Sequence, residues 1–408
     1  MKFLITGAQF ANKGAQALLF SMINEIKEHR KDSEIYYLPL DNYMKYKPEK
    51  FRFNIIYGHW DALEYENNPK MRIWLIIRSI LRKIVKRNTV SLNELKELHK
   101  IMSDVDVVID VSGFQLTSKF SIDKNIQFLN YTEMAKRNGK KIIYMPQSFG
   151  PFDYKENCEN MCLKIKNTLR KADLIFAREK EGYILLTREL GLKNVKLYPD
   201  IVLQSAEINW ENIYYEKPVL QIPEISNGKN VGIIPNTETF KHGNEKNILN
   251  WYKEIIERVC EAGKKIYIFR HSNDLEVCKK IYSMVSDNPN VFILENDFNC
   301  LEYSEFVKQF EYIIASRYHA IIHAYKKNVP AIILGWAIKY TELAKLFQQE
   351  EYVFDITDNQ YSPNLESIFK VIDYMNAHSK EEREKIIDNM KKVRKRTCFD
   401  ECWNVLEK

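Results

Sequence analysis

Short apolar blocks alternate along the chain with longer segments whose apolar positions recur every three or four residues. Residues 2–6, KFLIT, form one such block and stop at Gly7, so they predict a short buried strand. Over 15–29 the positions of Ala17, Leu18, Ile23 and Ile26 define one broad helical face, and 34–40 returns to a strand. The alternation predicts further strands over 105–111, 141–145, 174–177 and 195–198, with helices over 126–137 and 158–171. Residues 206–229, with Pro218 and Pro223 and no clear period, read as a linker. The pattern then restarts, with strands over 230–234, 265–269, 291–294, 312–315 and 331–334. Helices are predicted over 247–262, 275–286 and 318–327, with Gly263 placed where a left-handed cap closes the first of them. A charged helical stretch lies over 380–393 in the tail, and no internal repeat is visible.

Strand–helix alternation of this kind is the pattern of a doubly wound sheet. The sequence therefore predicts an α/β protein with two Rossmann-like domains facing a cleft. They are residues 1–205 and 230–375, joined by the linker 206–229 and followed by a helical tail over 376–408. A chain of 408 residues is long enough for two cores.

The charge changes this picture little. A net charge of +6 is spread over the chain rather than gathered into a stripe, which argues against a nucleic-acid partner and fits a small anionic substrate or a membrane surface. The N-terminus lacks the apolar stretch of a signal peptide and no long apolar run follows, so a cytoplasmic protein without a membrane span is expected. Seven cysteines without a C-x-x-C pair read as free thiols, and no metal site is expected.

Candidate chemistry gathers just past the predicted strands. Between the first strand and first helix lies Gly7-Ala8-Gln9-Phe10-Ala11-Asn12-Lys13-Gly14. It is either a close-approach loop for an anion at a helix N-terminus, or a turn in which Asn12 caps the helix. Asp110-Val111-Ser112-Gly113 and Met145-Pro146-Gln147-Ser148-Phe149-Gly150-Pro151 close two further strands, and Gln147 is suited to a sugar or carboxylate. Arg178, directly after an apolar strand, either pairs with an acid of the protein or is aimed at substrate. The most specific motif is Ser316-Arg317-Tyr318-His319, which sets a forked guanidinium and a titratable imidazole at a helix start. His271 and Lys339 each follow another strand. Cations at so many strand ends suggest a substrate with more than one negative group. His323, one turn beyond His319, reads as packing rather than as a metal ligand.

In their order these motifs resemble the polysaccharide pyruvyl transferase family. The resemblance rests on Asn12-Lys13-Gly14, Gly113, the Gln147-to-Pro151 loop, Ala177-Arg178-Glu179, Pro199-Asp200, Ser316-Arg317-Tyr318-His319, Pro330 and Lys339-Tyr340. The chain departs from the family at Ala15-Gln16, where many members are acidic, at Glu179, where Asp is commoner, and in an insert between Leu40 and Val105. The resemblance implies a GT-B-like fold and a pyruvyl transferase that moves the enolpyruvyl group of phosphoenolpyruvate onto two hydroxyls of a surface-polysaccharide sugar, free or lipid-linked. The products are a pyruvate ketal and phosphate, with no cofactor. It implies His319 as proton donor and Arg317 and Arg178 as anion clamps, with Asn12, Gly14, Gly113, Gln147, His271, Ser316 and Lys339 as substrate contacts. Two other readings stand beside it: a GT-B glycosyltransferase using a nucleotide-sugar, and a non-catalytic sugar-binding relative.

Residues 71–88, MRIWLIIRSILRKIVKRN, form a basic amphipathic pattern. They predict either a helix lying on an anionic bilayer or one that covers a core.

Overall fold

The computed structural model describes residues 1–40, 48–56, 63–65, 68–84, 92–225, 228–357 and 365–407. The chain divides into two compact units. The first comprises Met1–Ala11, Leu18–Pro218 and Thr397–Lys408, and the second Asn12–Ala17 and Val219–Arg396.

Unit 1 is built on seven parallel strands: β1 (Lys2–Thr6), β2 (Glu34–Leu38), β3 (Asn54–Ile55), β4 (Val107–Asp110), β5 (Lys141–Gln147), β6 (Leu174–Ala177) and β7 (Val195–Leu197). Their order is β3-β2-β1-β4-β5-β6-β7. The strands are runs of Ile, Val, Leu and aromatic residues because helices cover both faces of a parallel sheet. The helices are α1 (Lys13–His29), α2 (Pro69–Ile84), α3 (Leu92–Asp104), α4 (Ile122–Arg137) and α5 (Cys158–Leu169). Leu4, Val108, Ile142 and Ile175 of the strands share one core with Phe128 and Leu129 of α4 and Met161 and Ile165 of α5. Strand β5 runs two residues past the predicted end because Pro146 is absorbed by a register shift between Tyr144 and Gln147. That extension carries Gln147 to the sheet's carboxyl edge.

Unit 2 repeats the plan with β8 (Asn230–Ile234), β9 (Lys265–Phe269), β10 (Val291–Leu294), β11 (Tyr312–Ala315), β12 (Ala331–Leu334) and β13 (Val353–Phe354), in the order β10-β9-β8-β11-β12-β13. Its helices are α6 (Glu245–Glu261), α7 (Leu275–Ser283), α8 (Cys300–Val307), α9 (Tyr318–Lys326), α10 (Ile338–Leu346) and α11 (Leu365–Arg394). The two-residue edge strands β3 and β13 carry too few residues to show a period, so they are absent from the sequence expectation.

In each unit the strand order reverses once, between β1 and β4 and between β8 and β11. Such switch points open a crevice at the carboxyl ends of the strands, where ligands bind in this class of sheet.

The segment expected as a linker, 206–229, holds a 3-10 turn at Trp210–Asn212 and is otherwise without regular structure, with residues 226–227 outside the described set. Its first part is fastened to unit 1: Ile213 is buried, and Asn24 Oδ1 accepts from the Asn209 amide (2.9 Å) and from Asn212 Nδ2 (3.0 Å). The expected tail is shared between the units. Helix α11 buries Ile368, Ile372 and Met375 in the core of unit 2. A last helix, α12 (Cys398–Leu406), belongs to unit 1 and starts at a capping box made by Thr397 and Asp400. Trp403 there meets Phe3 edge-on at 6.2 Å and stacks on His29 at 3.9 Å, and the Cys398 amide donates to Gln204 Oε1 at 2.7 Å.

Trp403→Ala removes the largest apolar anchor of α12. It is expected to lower stability by about 2–4 kcal/mol in urea unfolding; a change below about 0.5 kcal/mol would show that α12 is not held this way.

Candidate functional site

The motif Ser316-Arg317-Tyr318-His319 occupies the step from β11 to α9, at the switch point of unit 2. Ser316 is fully buried and serves as a hub. Its Oγ lies 2.7 Å from Tyr252 Oη, and its carbonyl accepts from Tyr340 Oη (2.8 Å) and Asn236 Nδ2 (3.0 Å). Arg317 forks onto Asp274: Nε donates to Oδ2 at 2.7 Å, and Nη2 donates to Oδ1. Asp274 is itself fixed by the Thr237 amide (3.0 Å) and hydroxyl (2.9 Å). The guanidinium is therefore held rigidly with its Nη1 edge uncommitted.

His319 lies in the first turn of α9, a helix that no side chain caps. Its half-buried ring packs on the first turn of α1. A Cβ built on Gly14 would stand 2.3 Å from His319 Cγ, so only glycine fits there. Asn12 caps that turn, its Oδ1 accepting from the Gly14 (2.9 Å) and Ala15 (3.2 Å) amides. Behind His319 lies His271, nearly parallel at 6.5 Å, with His323 at 5.9 Å from His271. His271 is buried and its Nε2 has no hydrogen-bond partner among the described residues. Burial first, and then the neighbouring charges of His323, Lys13, His319 and Arg317, hold its pKa well below the ordinary histidine value, so this ring stays neutral. Lys339 sits above the rings of Tyr318 (5.4 Å) and Tyr340 (5.5 Å), and Tyr318 meets His319 edge-on.

Lys13 is a member of this cluster that the sequence reading did not single out. Its side chain is 4% exposed, and its Nζ donates to Asp297 Oδ1 at 2.7 Å, on a carboxylate that is 68% exposed. Arg270 stands 3.7 Å from the same oxygen. The signal was available, since a lysine within a glycine loop at a helix start is a known anion-binding arrangement.

A second constellation lies at the switch point of unit 1. Asp110, at the end of β4, is fully buried and accepts from Thr6 Oγ1 (3.0 Å), the Ser112 amide (3.1 Å), Ser112 Oγ (2.8 Å) and Gln147 Nε2 (3.1 Å). Burial pushes its carboxyl up to about 6, against the pull of these donors. Gly7, at φ +87°, lies so close that a Cβ would stand 2.2 Å from Ser112 Oγ. The Gly113 carbonyl accepts from the Ser148 amide at 2.9 Å, and Gln147 Oε1 is buried without a partner among the described residues. Arg178 is also in unit 1 and buried. Its Nη1 donates to Asp200 Oδ2 (2.7 Å), its Nε to Glu179 Oε1 (2.9 Å) and its Nη2 to Ser148 Oγ (2.8 Å). Its fork is thus committed to acids of the protein.

Unit 2 therefore brings together Asn12, Gly14, His271, Ser316, Arg317, His319 and Lys339, and unit 1 holds Gly113, Gln147 and Arg178. Among the described residues no group of three or more His, Cys, Asp or Glu is arranged to hold a metal ion. The seven cysteines are free; Cys158 and Cys162 share a face of α5 with 3.9 Å between their sulfurs.

The sequence model of the polysaccharide pyruvyl transferase family matches residues 12–337, most of the chain, and takes in both strand-end groups except Thr6, Gly7, Lys339 and Tyr340. The chain belongs to that family. No curated protein matches it. Solved structures resemble this pyruvyl transferase in fold. The UDP-GlcNAc 2-epimerase of Methanocaldococcus jannaschii is 13% identical over 92% of this chain and 93% of its own, with a TM-score of 0.56. The UDP-GlcNAc 2-epimerase of Neisseria meningitidis, bound to UDP-GlcNAc, is 13% identical over 95% and 94%, with a TM-score of 0.53. A trehalose-6-phosphate structure from E. coli, bound with UDP-2-fluoro glucose, is 9% identical over 100% and 99%, also at 0.53. At these identities the likeness shows the fold: a GT-B-like, two-domain α/β architecture.

Two outcomes follow from the site's geometry. Alanine normally stabilises a helix over glycine by about 1 kcal/mol, so an open site would make Gly14→Ala stabilising. The contact with His319 reverses the sign, and Gly14→Ala is expected to lose about 1–3 kcal/mol in chemical denaturation. Asp110 is a carboxyl raised by folding, so its stabilising contribution is complete below its ordinary value of 3.8 and is lost as pH rises through about 6. The stability of the wild type relative to Asp110→Asn should therefore fall between pH about 4 and about 7, read from paired melting curves; a constant difference would show that Asp110 does not titrate in that range.

Proposed function

We propose that this family member transfers the enolpyruvyl group of phosphoenolpyruvate onto two hydroxyls of one sugar, in a surface polysaccharide or its lipid-linked precursor. The reading rests on the family and on one observation above the rest: an imidazole fixed against Gly14, beside a guanidinium locked by Asp274, at the switch point of unit 2.

The reagent dictates the requirements. Phosphoenolpyruvate carries a phosphate and a carboxylate on either side of an enol carbon. Protonation of its terminal CH₂ makes a methyl group and an oxocarbenium-like centre. One sugar hydroxyl attacks this centre, phosphate departs, and the second hydroxyl closes the ring. The two hydroxyl protons leave in balance: one restores the acid and one travels with phosphate. His319 supplies the proton to CH₂ as the general acid. The uncommitted Nη1 edge of Arg317 receives an anionic group of the donor, and Lys13 and Lys339 supply further positive charge. His271, kept neutral by burial, supports the ring of His319 without competing for its proton.

Asn12 and Ser316 act by shaping the backbone, Asn12 through the cap of α1 and Ser316 through its hub of hydrogen bonds. Arg178 acts in unit 1 as a positioning residue: its bonds to Asp200, Glu179 and Ser148 fix the loop from Gln147 to Pro151, which with Gly113 forms the acceptor side. No cofactor enters this scheme. The enzyme works in the cytoplasm, where phosphoenolpyruvate is available.

The test is phosphate release from labelled phosphoenolpyruvate in the presence of a panel of hexose-containing acceptors, with product mass as the second readout. A gain in acceptor mass of one pyruvate less one water is expected, and His319→Gln should lower kcat by about 10²–10⁴-fold with the fold intact. Nucleotide release from a nucleotide-sugar, with none of phosphate from phosphoenolpyruvate, would replace this reading with a glycosyltransferase. Binding without turnover of either would replace it with a sugar-binding relative.

A further inference from the structure

Among the described residues, helix α2 is fastened along one side. Asn68 caps it, its Oδ1 accepting from the Lys70 (3.1 Å) and Met71 (3.2 Å) amides, and Pro69 opens it with a ring already shaped for the first helical turn. Leu75 is buried against Tyr65, with Ile76 beside them. Arg72 Nε donates to the Tyr65 carbonyl at 2.8 Å and its guanidinium lies over the Tyr65 ring.

The opposite face is apolar and open. Ile73, Trp74, Ile77, Ile80 and Leu81 follow the spacing of a single stripe, and each is between 48% and 63% exposed. The sequence reading left two roles open for this segment: Leu75 covers a small core on one side, and the apolar stripe on the other side is exposed. Residues 85–88 of the segment lie outside the described residues.

A contiguous Ile/Leu/Trp stripe of this kind marks a surface that is covered in use. Its charge says by what. Between Pro69 and Asn88 the sequence carries Lys70, Arg72, Arg78, Arg82, Lys83, Lys86 and Arg87 and no acidic residue. Arg78 lies over the Trp74 ring at 4.8 Å, an aromatic–guanidinium pair of the sort favoured at the headgroup level. An apolar stripe on a segment whose charged residues are all cations complements an anionic lipid surface, into which apolar side chains sink while cations meet the headgroups. No helix among the described residues is long and apolar enough to cross a membrane, and α2 itself carries cations throughout.

We propose that α2 is an interfacial anchor that docks unit 1 on an anionic bilayer, with Ile73, Trp74, Ile77, Ile80 and Leu81 inserted at the headgroup boundary. The proposal does not depend on the donor chemistry above.

The test is co-sedimentation of the full-length protein with phosphatidylcholine vesicles, with and without phosphatidylserine. The wild type should pellet only with the phosphatidylserine vesicles and should be released by high salt. The triple variant Ile73→Ser/Ile77→Ser/Leu81→Ser, altered only at exposed positions, should bind roughly tenfold more weakly or worse, as should Arg82→Gln/Lys83→Gln. Both variants should keep the wild-type melting temperature. Equal binding by the triple variant, or a wild type that stays in the supernatant with anionic vesicles, would overturn the proposal. So would a lipid-free dimer that the same triple variant dissociates and that does not bind vesicles, because a second copy would then be the occupant.

Discussion

The position of His319 depends on one close approach, the packing of its ring on the Cα of Gly14. Within unit 2, the first turn of α1 is held around that contact from several sides. Lys13 reaches Asp297, the Cys300 amide donates to Gln16 Oε1 at 2.8 Å, and Asn12 fixes the turn itself. A glycine is needed because any side chain would occupy the volume of the imidazole. Rigid neighbours fix a side chain's place to within a fraction of an ångström better than flexible ones do. The neutral ring of His271 behind it adds packing without adding a positive charge that would compete with protonation of His319.

The two arginines show how the same residue type serves different ends. Each forms a buried or half-buried pair with carboxylates, and such pairs contribute little net stability because both charges lose water. Their value is placement. Asp274 binds Arg317 through Nε and Nη2 and leaves an edge with a defined direction, whereas Arg178 spends all three of its nitrogens on Asp200, Glu179 and Ser148. One guanidinium thus keeps an edge without a partner among the described residues, and the other has all three nitrogens engaged. The Pro199-Asp200 motif gains a physical reason: Asp200 neutralises Arg178 through one oxygen and caps the turn at Val202 through the other.

Much of the fold was legible because parallel strands buried on both faces read as unbroken apolar runs, as in 174–177, 265–269 and 312–315. What the pattern hid has particular causes. Pro146 seemed to end a strand that in fact continues through a register shift, and the shift is what carries Gln147 to Asp110. The tail held one continuous helical signal over 380–393, yet α12 leaves it to pack Trp403 on Phe3, a pairing across almost the whole chain. At the site the residue types were legible and their partners were not. Whether Arg178 met an acid of the protein, and whether Asn12 capped a helix, depended on contacts between distant segments. Lys13 carried a sequence signal in its place within a glycine loop at a helix start, whereas its burial is a property of the folded chain.

The central claim is that His319, fixed against Gly14, meets the methylene carbon of a phosphoenolpyruvate donor. A crystal structure of the full chain soaked with phosphoenolpyruvate tests it most directly. A ring nitrogen of His319 is predicted within about 3.5 Å of that carbon, with a guanidinium nitrogen of Arg317 on an anionic group of the donor. Phosphoenolpyruvate bound elsewhere, or bound with its methylene carbon turned away from His319, would contradict the account.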